Sequence, residues 1–151
     1  MHKTQKIYEV VRIKQEIKEC DRGLVLEKIK SPEDGAKIAA SFIGDEDREV
    51  FLVICLSTKN TINAIHRCHV GSINASIVHP REVFKSAILN NSTSIIVAHN
   101  HPSLDCTESR EDVAVTQRLN EAGKILGIDV LDHLIVNAKG EYTSLKEKGY
   151  L

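Results

Sequence analysis

Residues 93–136 read "TSIIVAHNHPSLDCTESREDVAVTQRLNEAGKILGIDVLDHLIV", and the architecture turns on how this stretch is parsed. "TSIIVA" is a short apolar, β-branched run of the kind that forms a buried strand. It feeds directly into a polar loop, "HNHPSLD". "SREDVAVTQRLNEAGKILG" then places Val113, Leu119, Ala122 and Leu126 at helical spacing and closes at Gly127. "IDVLDHLIV" is a further strand, "NAKG" a turn and "EYTSL" a short last strand.

The pattern continues upstream. "EVFLVICLS" (49–57) is nearly continuous in apolar and β-branched residues, as expected of a strand covered on both faces. "TKN" turns it into "TINAIHRCHV", a hairpin partner. "SPEDGAKIAASFI" (31–43) begins with Ser31 as an N-cap, Pro32 at the first helical position and acids in the first turn, predicting a helix over about Pro32 to Phe42. "HPREVFKSAILNN" (79–91) has Pro80 at a second helix start. "IYEVVRIKQEI" (7–17) alternates well enough to predict a first strand near a sheet edge. The expectation is therefore one α/β domain spanning 1–151, a mixed sheet packed by helices, with residues 1–30 as an N-terminal strand extension to a core at 31–151.

Composition excludes several classes. Hydrophobic residues at 42% and charged ones at 27% of 151 residues fit a globular domain with a real core. No apolar run approaches the roughly 20 residues that span a bilayer. The charged N-terminus lacks the apolar core of a secretory signal, so the cytoplasm is the expected compartment. The formal charge of −1 and an aromatic content of 4% give no support to duplex binding, which draws its affinity from a basic excess. Cys20, Cys55, Cys68 and Cys106 form no CxxC pair and read as free thiols.

His99 and His101 stand two apart at a strand end, so the strand period puts both imidazoles on one side. Pro102 keeps His101 out of the helical region. Asp112, in the first turn of the next helix, can fold back as a third ligand. Two histidines and one carboxylate leave a fourth tetrahedral position open, the arrangement of catalytic zinc, whose bound water has a pKa near about 7. Such a site also needs an oxyanion donor, for which Ser109 is placed, and a base, for which Glu49 is the candidate. The same residues admit a plainer reading. "SRED" is a capping-box pattern, in which Ser109 and Asp112 cap each other's backbone amides and nothing more. "HNH" is not the signature of an HNH nuclease, whose residues are not contiguous.

Other polar residues earn lesser roles. "IHRCHV" predicts His66 and Cys68 on one strand face and His69 on the other, as ordinary strand side chains. Cys106 lies in the loop, close enough in sequence to be weighed as an extra thiolate. His133 is expected to support a ligand or to pack. His79 stands at a helix start, and Gly71 marks a strand break or bulge near the cleft.

The spacing of His99, His101, Ser109 and Asp112 is H-x-H-x(7)-S-x(2)-D, which resembles the signature of the JAMM metalloproteases. The text from "HPREVFKSAILNN" to "YTSLKEKG" is similar to the RadC branch over roughly residues 31–151. The resemblance implies a JAB/MPN sandwich related to the cytidine deaminases. It assigns His99, His101 and Asp112 as zinc ligands and Ser109 as the residue that hydrogen-bonds the tetrahedral intermediate. The family's water-activating glutamate falls at Glu49 by position, with Glu82 and Glu46 as alternatives. RadC proteins commonly carry "HNHPSGDPTPS" where this chain has "HNHPSLDCTES". Leu104 thus replaces a glycine, which strains the loop if that position needs φ > 0, and Cys106 and Glu108 replace prolines. The helix–hairpin–helix region common in RadC proteins has no counterpart in these 151 residues.

The implied activity is zinc-dependent hydrolysis of a peptide or isopeptide bond in a peptide or protein substrate. Its rivals are a nucleic-acid role beside repair or mobile-element functions, and a zinc-bearing binding module without chemistry. A zinc deaminase is disfavoured because the P-C-x-x-C ligand pair is absent. Oligomeric state is not legible.

Overall fold

A computed structural model describes residues 3–21 and 28–151. The elements run α1 (Pro32–Ile43), β1 (Val50–Leu56), β2 (Ile62–Val70), α2 (Pro80–Leu89), β3 (Ser94–Asn100), α3 (Arg110–Leu126), β4 (Asp129–Val136) and β5 (Tyr142–Ser144). They build one mixed five-stranded sheet in the order β2-β1-β3-β4-β5. All pairs are antiparallel except β3 with β4, which is parallel. A parallel pair cannot be joined by a tight turn, so the chain crosses over through α3. The α/β class and the mixed sheet packed by helices are as expected.

The start of α1 and both ends of α3 have chemical reasons. Ser31 caps α1 by accepting from the Asp34 amide, and Pro32 sits where a missing N–H costs nothing. α3 begins with a full capping box between Ser109 and Asp112 and ends at Gly127, whose φ of 73° is the left-handed conformation that glycine tolerates. The central strands β1 and β3 are buried at every position, which explains their unbroken apolar runs. On one face, Phe51, Val53, Ile95 and Val97 pack against Val83 and Phe84 of α2 and Val115 and Leu119 of α3. On the other, Leu52, Ile54, Ile96 and Leu134 pack against Ile38, Ala39 and Ile43 of α1. Gly35 lets α1 sit close to the sheet, since a Cβ there would stand 2.8 Å from Leu134 Cδ1.

Two expectations need correction. Residues 7–17 form no strand: Ile7, Tyr8, Val10, Val11, Ile13 and Ile17 are all exposed, and among the described residues all five strands lie downstream of position 49. Alternation supplies strand propensity, but a strand exists only with a paired neighbour and a face to bury. The rest of the proposed extension, at residues 1–2 and 22–27, lies outside the described residues. Among the described residues Ile29 is the first buried side chain, its N–H donating to the Asn60 carbonyl at 3.0 Å.

The second correction concerns β2. A register shift sets Leu52 opposite Arg67 but Phe51 opposite His69, and Val53 opposite His66. Residues directly opposite share a face, so the bulge at Cys68 puts His69 on the same face as His66 rather than the other one.

Candidate metal centre

The centre forms where β3 runs out. His99, at the penultimate position of that strand, is fully buried, and His101 follows one residue beyond the strand. The His101 amide still donates to Val136 of β4 at 3.0 Å, which holds the chain extended past the strand end. Their two Nε2 atoms lie 3.0 Å apart. Asp112 reaches them from the first turn of α3, with Oδ1 3.1 Å from His99 Nε2 and Oδ2 3.3 Å from His101 Nε2. Its Oδ2 also accepts from the Ser109 amide at 2.9 Å, and Ser109 Oγ accepts from the Asp112 amide at 3.1 Å. The capping box and the ligand cluster thus coexist on the same carboxylate. The box aims it.

The donor set fits a metal. Ligand atoms about 2.0–2.1 Å from a tetrahedral zinc stand roughly 3.3 Å from one another, close to the 3.0–3.3 Å seen here. His101 Nδ1 is 2.7 Å from the Asp105 carbonyl, which can only accept, so Nδ1 carries a proton and Nε2 is the atom offered to the site. A carboxylate and two imidazole nitrogens this close require positive charge between them. In the metal-free protein, a proton on His101 Nε2 meets part of that need. The hydrogen bond to Asp112 raises His101 above its ordinary pKa against the opposing effect of burial, with the Asp105 carbonyl adding to it. Burial alone would raise Asp112, but its close contacts with the His101 and His99 rings outweigh it and hold the carboxyl well below the usual range.

Glu49 stands at the open side. Its side chain is 30% exposed, against 3% for Asp112, and its Oε1 lies 4.0 Å from His101 Nε2. Glu49, His99 and His101 also offer ligand atoms that lie within 4.8 Å of one another. The longer distance and greater exposure place Glu49 beside the cluster, with Asp112 in closer contact with both imidazoles. Oε2 accepts from the Ile73 amide at 3.3 Å, and the Glu49 carbonyl accepts from Gly71 at 2.8 Å. Gly71, with φ of 125°, takes a conformation that other residues rarely adopt.

Asn100, the middle residue of "HNH", had no role in the sequence reading. It is buried and turned to the opposite side from the histidines. Its Oδ1 accepts from the Val50 amide at 2.7 Å and its Nδ2 donates to the Glu46 and Arg48 carbonyls, so it fastens the chain around Glu49 to the end of β3. A fixed asparagine between two same-side histidines was the available signal. Thr116 and Phe51 were also missed: Thr116 Oγ1 is 2.6 Å from His133 Nδ1, and Phe51 stacks on His99 at a centroid distance of 6.4 Å.

The other candidates lie elsewhere. Glu46 pairs with Arg67 and Glu82 with Lys85. Cys106 donates to the Glu141 carbonyl at 3.6 Å and is outside the cluster. His79 is the N-cap of α2, its ring nitrogen 3.4 Å from Arg118. Leu104 has φ of 73°, so the position does require the left-handed conformation, here taken by a leucine. A cleft of about 340 Å³ along α3 is lined in part by Ser109, Arg110, Gln117 and Tyr150, and none of His99, His101, Asp112 or Glu49 lines it. No helix among the described residues is long and apolar enough to cross a membrane.

The chain is 55% identical over 125 residues to a UPF0758 protein of Geobacillus sp. strain WCH70, covering 82% of this chain and 54% of that one. It is 49% identical over 124 residues to a UPF0758 protein of Methanosarcina barkeri, covering 82% and 54%. A UPF0758 protein of Desulfitobacterium hafniense is 52% identical over 128 residues, covering 85% and 56%. The chain therefore spans a little over half the length of these relatives. Residues 29–150 match the family described as RadC-like JAB domain, and the chain belongs to that family.

Proposed function

We propose that this chain is a zinc-dependent hydrolase of the JAMM type that cleaves peptide or isopeptide bonds. The observation that carries the reading is the convergence of His99 Nε2, His101 Nε2 and the Asp112 carboxylate within 3.0–3.3 Å, with the Glu49 carboxylate 4.0 Å from His101. A zinc ion held by His99, His101 and Asp112 supplies a Lewis acid and a water of lowered pKa at neutral pH.

The protein's own groups do the rest. Glu49 is anchored through Oε2 by the Ile73 amide, leaving Oε1 toward the centre to take a proton from the water and pass it to the leaving nitrogen. Ser109 Oγ receives the Asp112 amide through a lone pair, so its O–H hydrogen is free to donate to the substrate oxygen as charge develops there. Burial of His99 and Asp112 on one side, with Glu49 open on the other, leaves one direction of approach. The substrate is a peptide or protein chain and the setting the cytoplasm. A formal charge of −1 supports this over a nucleic-acid role.

The test begins with metal content of protein purified without added metal, for wild type, His101→Ala and Asp112→Asn. About one zinc per chain in the wild type, lost in both variants, is expected. Glu49→Gln should keep zinc and lower turnover on a peptide and isopeptide panel by about 10²–10⁴-fold. Wild-type protein that takes up no zinc when it is supplied would overturn the reading.

A further inference from the structure

His133 lies in β4, opposite Val97 of β3, and is fully buried. Both its ring nitrogens are engaged. Nδ1 is 2.6 Å from Thr116 Oγ1, and Nε2 is 2.8 Å from His99 Nδ1. On Thr116, the hydroxyl also lies 2.9 Å from the Asp112 carbonyl, one helical turn back, and donates to it.

That carbonyl sets the direction of every proton in the row, because it can only accept. The Thr116 O–H hydrogen therefore goes to Asp112 O, and the hydroxyl's lone pair is what remains for His133. His133 Nδ1 must then carry a proton and donate it to Thr116. In a neutral imidazole the other nitrogen is an acceptor, so His133 Nε2 accepts and His99 Nδ1 donates. His99 is thereby left with a lone pair on Nε2, the atom that faces His101 and Asp112. Phe51 holds the ring planes, stacked on His99 at 14° and edge-on to His133 at 70°.

We propose that His133, anchored through Thr116 to the Asp112 carbonyl, is a positioning residue that fixes His99 as its Nδ1–H tautomer and so presents Nε2 to the metal. The inference rests on the metal-centre reading for its purpose, not for its geometry. One consequence is that α3 contributes to the centre twice. Asp112 brings the carboxylate, and the backbone of the same residue dictates the protonation of a ligand on β3.

The test uses two readouts on the whole chain. Long-range ¹H–¹⁵N correlation spectra of the metal-free protein, well above the histidine titration range, report the tautomers of His99 and His133. Competition with a chromophoric chelator reports zinc affinity. Wild type should show Nδ1–H on both rings. Thr116→Val, nearly isosteric, should lose the single tautomer of His133 and His99 and weaken zinc binding by about 10–100-fold. Thr116→Ser, which keeps the hydroxyl, should restore both. Nε2–H on His99 in the wild type, or Thr116→Val with unchanged tautomers and affinity, would overturn the proposal. The expected tautomers in a wild type that binds no zinc would leave the relay standing and remove the hydrolase instead.

Discussion

Helices α1 and α3 open on almost the same words, "SPED" at 31–34 and "SRED" at 109–112. In both, the serine side chain accepts from the amide of the aspartate three residues on, at 3.4 Å in α1 and 3.1 Å in α3. In both, the aspartate returns a bond to the incoming backbone, Asp34 to Lys30 N–H and Asp112 to Ser109 N–H, each at 2.9 Å. Their surroundings differ. α1 lies on the far face of the sheet with Asp34 only partly covered, whereas Asp112 is buried against two imidazoles at the end of β3. The same capping chemistry is only a helix start in one place, and in the other it also holds a carboxylate against two imidazoles. The deciding factor is what the sheet brings to meet it.

The comparison can be broken most sharply at the two aspartates. Asp112→Asn should weaken zinc binding by at least about 100-fold, beyond what loss of a ligand's supporting partner costs, while Asp34→Asn leaves it unchanged. Isothermal titration of both variants checks this. Equal losses would mean that capping alone underlies both sites.

Acidity should separate them next. His101 is raised above its unfolded pKa of about 6.5. Its contribution to metal-free stability is thus complete below that value and fades as pH rises through the folded one. Asp112 is depressed, so its contribution is present above about 3.9 and is lost as pH falls through its folded value. Zinc competes with the proton on His101, so its affinity should fall about ten-fold per pH unit below that raised value, per proton displaced. Thermal melts with and without zinc across pH should show a zinc-induced shift that grows as pH rises. A shift independent of pH would contradict the assignment of His101.

The serines should show what the two starts have in common. Ser31→Ala and Ser109→Ala should each cost about 1 kcal/mol in chemical denaturation, the usual value of an N-cap. Only Ser109→Ala should also lower turnover.

The smallest effect belongs to the approach to α3, where Leu104 holds φ of 73° and its carbonyl accepts from Asn137 at 2.7 Å. Leu104→Gly should raise stability by up to about 1 kcal/mol, since the left-handed conformation costs a leucine roughly 1–2 kcal/mol and glycine's added chain entropy returns part of it. A loss of stability would mean that the side chain itself packs usefully.

Much of this was legible because it is local. Pro32, Pro80 and Gly127 mark helix boundaries by backbone chemistry, and the unbroken run in β1 announced a strand with two covered faces. The pair of histidines at a strand end followed by a serine cap named the cluster before its geometry was visible. What failed was non-local. Residues 7–17 have the alternation of an edge strand without a partner to pair with. The bulge that swings His69 to the other face is a property of the β1–β2 register and not of β2 alone. Asn100 and Thr116 act through carbonyls supplied by other segments or by an earlier helical turn, and spacing along the chain carries no trace of which carbonyl a side chain will find.

The reciprocal cap on α3 has a kinetic side. Asp112 closes the first turn of the helix with the carboxylate that faces the histidines, so that turn cannot fray without withdrawing the carboxylate from the cluster. An ion held there would stabilise only the closed form, and the opening rate of a single helical turn would become coupled to occupancy. Hydrogen exchange at the Ser109 and Asp112 amides would then time how long the metal stays.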